Sequence, residues 1–182
     1  YIRGFIDFVA DSGFNAIGLY LESKIRTPSF PWPAEDASYS IDEMKELVNY
    51  AQTKKTELIP VVSPLGHAEL FLAHDALKDL SELRDGREGR FGVSQNVVCP
   101  SLEESKAFFE GYLTEIAAIF PSQYFHVGCD EVWNIGYCDL CQARLQAGES
   151  QADLFGDYLL WTHSVIHDKL GKRMIMWDDM FE

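Results

Sequence analysis

The chain is poor in basic residues, in cysteine and in long apolar runs. Its 182 residues include 15 Lys and Arg against 29 Asp and Glu, a formal net charge of −14. This excess of negative charge argues against nucleic acid and anionic membranes as partners, because both would repel such a surface. No apolar run approaches the roughly 18 residues that span a bilayer. Four cysteines are too few to build a disulfide scaffold of this size.

Apolar residues are plentiful, at 47% against 24% charged, which predicts a folded domain with a real core. The length suits one domain or a large piece of one. No signal peptide is visible, and a cytoplasmic location is slightly favoured. However, the chain begins at Tyr1 rather than at Met, so the compartment stays open. The sequence contains no signal for an oligomeric state.

Helical and strand patterns alternate along the chain. A helical stripe over 2–10 precedes strands predicted at 15–22, 57–63, 123–129 and 172–177, with helices between them. Residues 68–98 are predicted to be a broken helix followed by loop, and a segment of this length inside a compact domain is usually functional or mobile. Two helices are predicted to begin at capping boxes, Ser40 with Glu43 and Ser101 with Glu104. Repeated strand–helix units predict an α/β fold with a parallel sheet.

Polar and aromatic side chains fall at or just beyond the carboxyl ends of the predicted strands. They are Glu22, His67, Asp130, Glu131, Trp177 and Asp178. A doubly wound open sheet and a (β/α)8 barrel both fit this order, and in both folds this edge carries the active site. A complete barrel needs about 250 residues, so this chain would hold roughly half of one.

The densest polar run is residues 126–133, His-Val-Gly-Cys-Asp-Glu-Val-Trp. Two adjacent carboxyls oppose each other's ionisation, which tends to keep one protonated near neutrality. A protonated acid beside an ionised one can cleave a glycosidic bond. Neighbouring residues cannot easily flank a sugar ring, so Asp130 and Glu131 suit a substrate whose own 2-acetamido group is the nucleophile. Taken alone, the dipeptide is better interpreted as an inert, solvated surface pair, but its position after an apolar strand and before a Trp favours function.

Three motifs in order, each at a strand end, resemble those of family 20 glycoside hydrolases, the β-N-acetylhexosaminidases. Residues 126–131 resemble the family's His-x-Gly-Gly-Asp-Glu motif, 59–67 its strand ending in Pro-Gly-His, and 174–179 its segment of Trp followed by acids. The resemblance implies a (β/α)8 TIM barrel, of which the chain covers about half, roughly from the first helix to the fifth strand. Residues 1–182 are therefore expected to form a partial catalytic domain.

The resemblance also implies a role for each site residue. Glu131 is expected to be the general acid and then the base, while Asp130 orients the acetamido group and stabilises an oxazolinium-like intermediate. The expected substrate-binding residues are His67, Trp177, Glu22, Trp133 and Asp178. The implied activity is that of a retaining exo-β-N-acetylhexosaminidase acting on terminal GlcNAc or GalNAc of an amino-sugar glycoside. No cofactor and no metal ion is expected.

Several alternatives stay open. Trp133 could line the sugar pocket or cover a neighbouring loop, and His126 is interpreted as a structural residue that positions the acid turn. Cys129 replaces the motif's second Gly, a variant that resembles the hexosaminidase D branch. Because the family's sugar-binding Arg and its later-strand residues have no counterpart, a non-catalytic amino-sugar-binding fragment or pseudoenzyme is the rival hypothesis. A metal-dependent hydrolase using His126, Cys129 and Asp130 is a third.

The pair Cys138-x-x-Cys141 is a weak signal with three interpretations. It could be half of a zinc site completed by Cys129 or His126, a redox pair, or two thiols that pack a helix. A tetrahedral zinc site needs four convergent ligands, and spacing alone does not show that they converge.

Overall fold

The computed structural model describes residues 1–181, and Glu182, the last residue of the predicted domain, lies outside them. The helices are α1 (Ile2–Asp11), α2 (Ile41–Thr53), α3 (Glu69–Leu72), α4 (Glu103–Ala117), α5 (Asp139–Gln146) and α6 (Gln151–His163), with a π-helical segment over Ser164–Lys169. The strands are β1 (Ala16–Tyr20), β2 (Glu57–Val61), β3 (Tyr124–His126) and β4 (Arg173–Ile175). Within 1–181, no helix has both the length and the apolarity needed to cross a membrane.

The four strands form one parallel sheet in the order β1-β2-β3-β4. Each strand therefore pairs with the next one along the chain, and a helix crosses over between them. A doubly wound sheet reverses its strand order at a switch point, whereas a barrel adds its strands in sequence. The order confirms the predicted α/β fold as part of a (β/α)8 barrel.

The core lies between the sheet and its crossover helices. The capping box of Ser40 and Glu43 forms as predicted, and α2 behind it buries the predicted stripe of Met44, Leu47, Val48 and Ala51. Burying each larger apolar side chain contributes about 1.5–3 kcal/mol. A second group is aromatic and joins α4 to the loops after β1 and β2. Its members are Phe30, Phe71, Phe108, Phe109 and Tyr112.

The second predicted capping box, Ser101 with Glu104, is wrong. Helix α4 begins at Glu103, and Leu102 occupies the N-cap without a side-chain hydrogen bond. Ser101 instead faces a neighbouring segment, with its Oγ 3.2 Å from the Sγ of Cys141. A tertiary contact therefore replaces the local cap. The predicted excursion 68–98 holds only α3 and a 3-10 turn over Lys78–Leu80 within loop, as expected.

Every strand is shorter than its apolar run predicts. The strand predicted at 15–22 spans 16–20, and the one predicted at 123–129 spans only 124–126. Positive φ angles follow three of the strands, at Glu22 after β1, His67 in the loop after β2, and Cys129 and Glu131 after β3, with values of 43°, 52°, 65° and 51°. Left-handed backbone is costly for residues other than Gly, so the surrounding structure must hold these turns in place.

Candidate active site

A tight turn after β3 presents Asp130 and Glu131. Gly128 and Cys129 both have left-handed backbone, and the amide of Cys129 donates to Ser63 Oγ at 3.2 Å. A Cβ at Gly128 would lie 2.8 Å from the Cβ of Ser63, so both the φ angle and the space require glycine there. The turn is thereby fixed against the end of β2.

The loop after β2 brings His67 onto the two acids. Its Nε2 lies 3.2 Å from Asp130 Oδ2 and 3.7 Å from Glu131 Oε2. Gly66 makes this approach possible, because a Cβ there would lie 2.2 Å from the backbone oxygen of Asp130. The imidazole therefore bridges two carboxyls that are neighbours in the chain.

The two carboxyls differ in their surroundings. The side chain of Asp130 is 24% exposed and that of Glu131 is 60% exposed. Asp130 Oδ1 is buried and accepts no hydrogen bond from the described residues. The amide of Glu131 donates to Asp179 Oδ2 at 3.2 Å, which ties the turn to the segment after β4. Asp130 is thus largely shielded from solvent, whereas Glu131 is open to it.

His126 supports the turn from below. Its Nδ1 accepts a hydrogen bond from the amide of Gly128 at 3.0 Å, as expected for a structural histidine. Burial lowers the pKa of His126, and the negative charge of Asp130 opposes that shift without cancelling it. The ring therefore favours its neutral form, which the acceptor role of Nδ1 requires.

Trp177 lies directly against this histidine. Its ring centroid is 4.6 Å from that of His126, and its amide donates to the carbonyl of Gly128 at 3.1 Å. The side chain remains half exposed. An indole face is therefore available at the same strand edge as Asp130 and Glu131.

Residues 15–182 match the family described as glycosyl hydrolase family 20, catalytic domain. The chain belongs to this family. It is 33% identical over 146 residues to hexosaminidase D of Bos taurus, covering 79% of this chain and 40% of that protein. It is 30% identical over 151 residues to a beta-hexosaminidase of Porphyromonas gingivalis, covering 79% of this chain and 19% of that protein. The chain therefore spans two fifths or less of these relatives.

Solved structures agree with this assignment. The β-N-acetylhexosaminidase of Bacteroides fragilis superposes with a TM-score of 0.81 at 24% identity, covering 99% of this chain and 39% of that one. The exo-β-N-acetylglucosaminidase of Vibrio harveyi in complex with N-acetylglucosamine gives a TM-score of 0.81 at 25% identity, covering 97% and 32%. The half-barrel of this chain is thus a shared part of the family 20 fold.

Glu22 lies two residues beyond the end of β1. Its carbonyl accepts a hydrogen bond from the hydroxyl of Tyr112 at 3.0 Å, which holds the strand end. Burial, and then the negative charges of Glu22 and Asp130, raises the pKa of Tyr20 well above its usual range. Within residues 1–181, no hydrogen bond links a carboxyl oxygen of Glu22 to His67. The expected role of Glu22 in substrate binding therefore stays a prediction.

Trp133 and Asp178 lie outside the contacts that His67 makes with the acid pair. Trp133 lines an apolar cavity of about 310 Å³ together with Phe155 and Phe181, and the Arg90 guanidinium lies 4.9 Å above its ring. Asp178 is exposed, and its backbone carbonyl accepts from the amide of Phe181. Their proposed contacts with substrate stay predictions.

Two residues near the acids escaped the sequence-based prediction, Tyr20 and Asp179. Tyr20 precedes Glu22 by two residues, and side chains two residues apart in a strand point to the same face of the sheet. This spacing could have indicated Tyr20. Asp179 adjoins the chosen Asp178, and nothing in the pattern Trp-Asp-Asp says which carboxylate turns inward. The backbone turn after β4 decides that the second one reaches Glu131.

A separate cluster of possible metal ligands is fully buried. The ligand atoms of Glu82, Cys99, Cys138 and Cys141 all lie within 4.8 Å of one another. Cys138 and Cys141 thus converge with two residues from the loop after β2. Neither His126 nor Cys129, the partners considered from spacing, belongs to this group.

Proposed function

We propose that the protein hydrolyses terminal β-linked N-acetylhexosaminides, GlcNAc or GalNAc, with retention at the anomeric carbon. The observation that carries the proposal is the contact of His67 with both Asp130 and Glu131 on one turn at the carboxyl edge of the barrel strands. Active sites of barrel enzymes are built at this edge. A single turn cannot place two carboxyls on opposite faces of a sugar, which favours participation by the substrate.

In the first step, the carbonyl oxygen of the 2-acetamido group attacks the anomeric carbon. Glu131 gives its proton to the glycosidic oxygen, the bond to the leaving group breaks, and a cyclic oxazolinium forms. Asp130 accepts a hydrogen bond from the acetamido N–H and balances the positive charge. In the second step, Glu131 takes a proton from water, which attacks the same carbon and reopens the ring with overall retention.

The surroundings of each carboxyl suit its proposed role. Asp130 Oδ1 has no hydrogen-bond partner among the described residues, and the side chain is 24% exposed, so the carboxyl retains an acceptor for an acetamido N–H. Its other oxygen is held by His67. Glu131 is more exposed, as a group that meets both a leaving group and water needs to be. Trp177 offers an exposed aromatic face on which the apolar side of a pyranose can pack.

The substrate class is also supported by similarity. The exo-β-N-acetylglucosaminidase of Vibrio harveyi, which shares this fold, was solved in complex with N-acetylglucosamine. Since this chain spans only part of such proteins, its activity belongs to the full-length protein. The sugar subsites would be completed there.

The test is kinetic and uses the full-length protein. Glu131→Gln should lower kcat by about 100- to 10,000-fold on an alkyl β-N-acetylglucosaminide. It should lower kcat less on an aryl glycoside, whose leaving group needs little protonation. Asp130→Asn should impair acetamido substrates specifically. Glu103→Gln, on the exposed first turn of α4, is the matched control and should leave both rates unchanged.

The rival hypothesis is an amino-sugar-binding protein that does not cleave its ligand. Calorimetry with N-acetylglucosamine and with a thiazoline mimic of the oxazolinium separates the two. An enzyme should bind the thiazoline more tightly by at least about 100-fold, because the mimic resembles the intermediate. Equal affinity for the two ligands, together with wild-type rates in both acid variants, would sink the catalytic proposal.

A further inference from the structure

The buried cluster of three thiols and one carboxyl has no role in the proposed hydrolysis. Cys99 Sγ lies 3.2 Å from Cys138 Sγ and 3.9 Å from Cys141 Sγ, and Cys141 Sγ lies 2.9 Å from Glu82 Oε1. All four residues are at most 1% exposed. We propose that Glu82, Cys99, Cys138 and Cys141 form a structural zinc site.

The donor set and its dimensions suit zinc. Thiolates select Zn²⁺ over Mg²⁺ and Ca²⁺, and structural zinc sites take four Cys, His or carboxylate ligands in a tetrahedron. With Zn–S bonds of about 2.3 Å, tetrahedral sulfurs lie about 3.8 Å apart. The sulfur distances of 3.2 and 3.9 Å bracket that value. Shifts of a few tenths of an ångström would admit the ion.

The backbone already holds the four ligands in place. Glu82 and Cys99 come from two segments of the loop after β2, joined by hydrogen bonds from Glu82 N to Val97 O and from Cys99 N to Leu80 O. Cys138 is the N-cap of α5, and Cys141 lies in its first turn. Metal binding would require little further ordering of these four side chains, because folding of the chain already restricts their conformations.

Groups around the four ligands also supply the hydrogen bonds and the opposite charge that a charged site needs. Glu82 Oε2 accepts from the amide of Cys138 at 2.6 Å, and Oε1 accepts from the amide of Gly136 at 3.2 Å. Arg84 lies beside the thiols of Cys99 and Cys138. Its positive charge would partly offset that of three thiolates and a carboxylate around a divalent ion.

Helix α5 supplies an independent reason to expect a metal. Of its eight residues only Cys141 is buried, and Leu145 one turn later is only partly buried against the core, so α5 has little apolar surface with which to dock. Its N-terminus nevertheless lies in the interior, because Cys138 is 1% exposed. A metal bond to each cysteine would attach this helix to the loop after β2. The segment thus fixed begins seven residues beyond Glu131, so the ion would steady the acid turn without touching substrate.

Metal analysis of the full-length protein, expressed with zinc and purified without chelator, tests the proposal. Elemental analysis and native mass spectrometry should find one zinc per chain. Cys138→Ser and Cys141→Ser should each lower the zinc content at least tenfold. The matched control is Cys129→Gly, which removes another buried thiol at a left-handed position and should retain the zinc. Cobalt substitution should give thiolate-to-metal charge-transfer bands that disappear in the cysteine variants.

Three results would overturn the proposal. One is a metal-free protein with three free thiols at this cluster after zinc supplementation. Another is a disulfide between Cys99 and Cys138 in the native protein, shown by peptide mapping without reductant. The third is zinc that survives in Cys138→Ser and Cys141→Ser. Because a cysteine variant could fail to fold, zinc release from the wild type by a thiol-modifying reagent provides a second measurement. Release of one zinc ion as the cluster thiols react supports the site.

Discussion

The loops after β2 and β3 meet twice, once at an open cluster of ionisable groups and once at a closed one. At the open cluster, His67 contacts Asp130 and Glu131, and the Glu131 side chain is 60% exposed. At the closed cluster, Glu82 contacts thiols and is fully buried. The same pair of loops therefore builds two chemically distinct sites.

The difference lies in what satisfies each polar group. Water reaches Glu131, so a substrate can approach it. Glu82 has no access to water, and its pKa is raised to about 7 by burial, against the opposing effect of the hydrogen bonds from Cys141, Cys138 and Gly136. A buried carboxyl must find all its partners within the fold. Groups at the open edge are therefore free to react, while those in the interior hold the structure together.

The largest expected effect separates the two glutamates. Glu82→Ala should lower the free energy of unfolding by about 3–5 kcal/mol, because two buried amides lose their acceptor and a cavity remains. Glu131→Ala should change it by less than about 0.5 kcal/mol, since that side chain is mostly exposed. Urea denaturation followed by circular dichroism gives both values. Similar losses in the two variants would contradict the division into an open and a closed site.

A second variant tests the close contact between the loops after β2 and β3. Gly66→Ala would place a Cβ against the Asp130 carbonyl, and should cost about 1–3 kcal/mol as the backbone moves apart. Activity should fall as His67 leaves the acids. Gly4→Ala is the control, because its Cβ meets no atom within 4 Å in helix α1. It should stabilise the protein by about 0.5–1 kcal/mol. A Gly66→Ala variant as stable and active as the wild type would show that the loops need no close contact.

A third change isolates the cost of left-handed backbone away from both sites. Lys55 has a φ of 58° in the turn between α2 and β2. Lys55→Gly should raise the free energy of unfolding by about 0.5–1 kcal/mol, because glycine adopts this conformation without strain. Gly13→Ala, at a φ of 84° with open space around it, should shift stability the other way. Thermal melts of the two variants measure both shifts, and the same sign in both would refute the explanation.

The smallest effect concerns pH. Burial lowers the folded-state pKa of His126 below its ordinary value of 6.5. The unfolded chain therefore binds this proton more readily, so the contribution of His126 to stability is complete above pH 6.5 and is lost as pH falls below it. Urea midpoints at about pH 7.5, 6.5 and 5.5 should show a shallower decline for His126→Gln than for wild type. His163→Gln, on an exposed helix face, should keep the wild-type slope.

Patterns that depend on neighbours in sequence were predictable, and those that depend on tertiary contacts were not. Alternating periods gave the order of the strands and helices, and Ser40 with Glu43 formed the expected cap. Ser101 with Glu104 had the same pattern, but Ser101 faces Cys141 instead. Cys99 lies 39 residues before Cys138, and only the parallel sheet brings the two sulfurs together. Spacing therefore offered Cys129 or His126 as partners of Cys138 and Cys141, whereas the side chains that converge on the pair are Glu82 and Cys99.

The left-handed turns at Glu22, His67, Cys129 and Glu131 also bear on how this protein should be engineered. Glycine would relieve strain at each of these positions, so a library selected only for heat resistance would tend to discard side chains of the proposed active site, His67 and Glu131 among them. Selection should therefore alternate thermal challenge with turnover of an amino-sugar glycoside. The Lys55→Gly substitution offers the same gain in stability and leaves the side chains at the carboxyl ends of the strands unchanged.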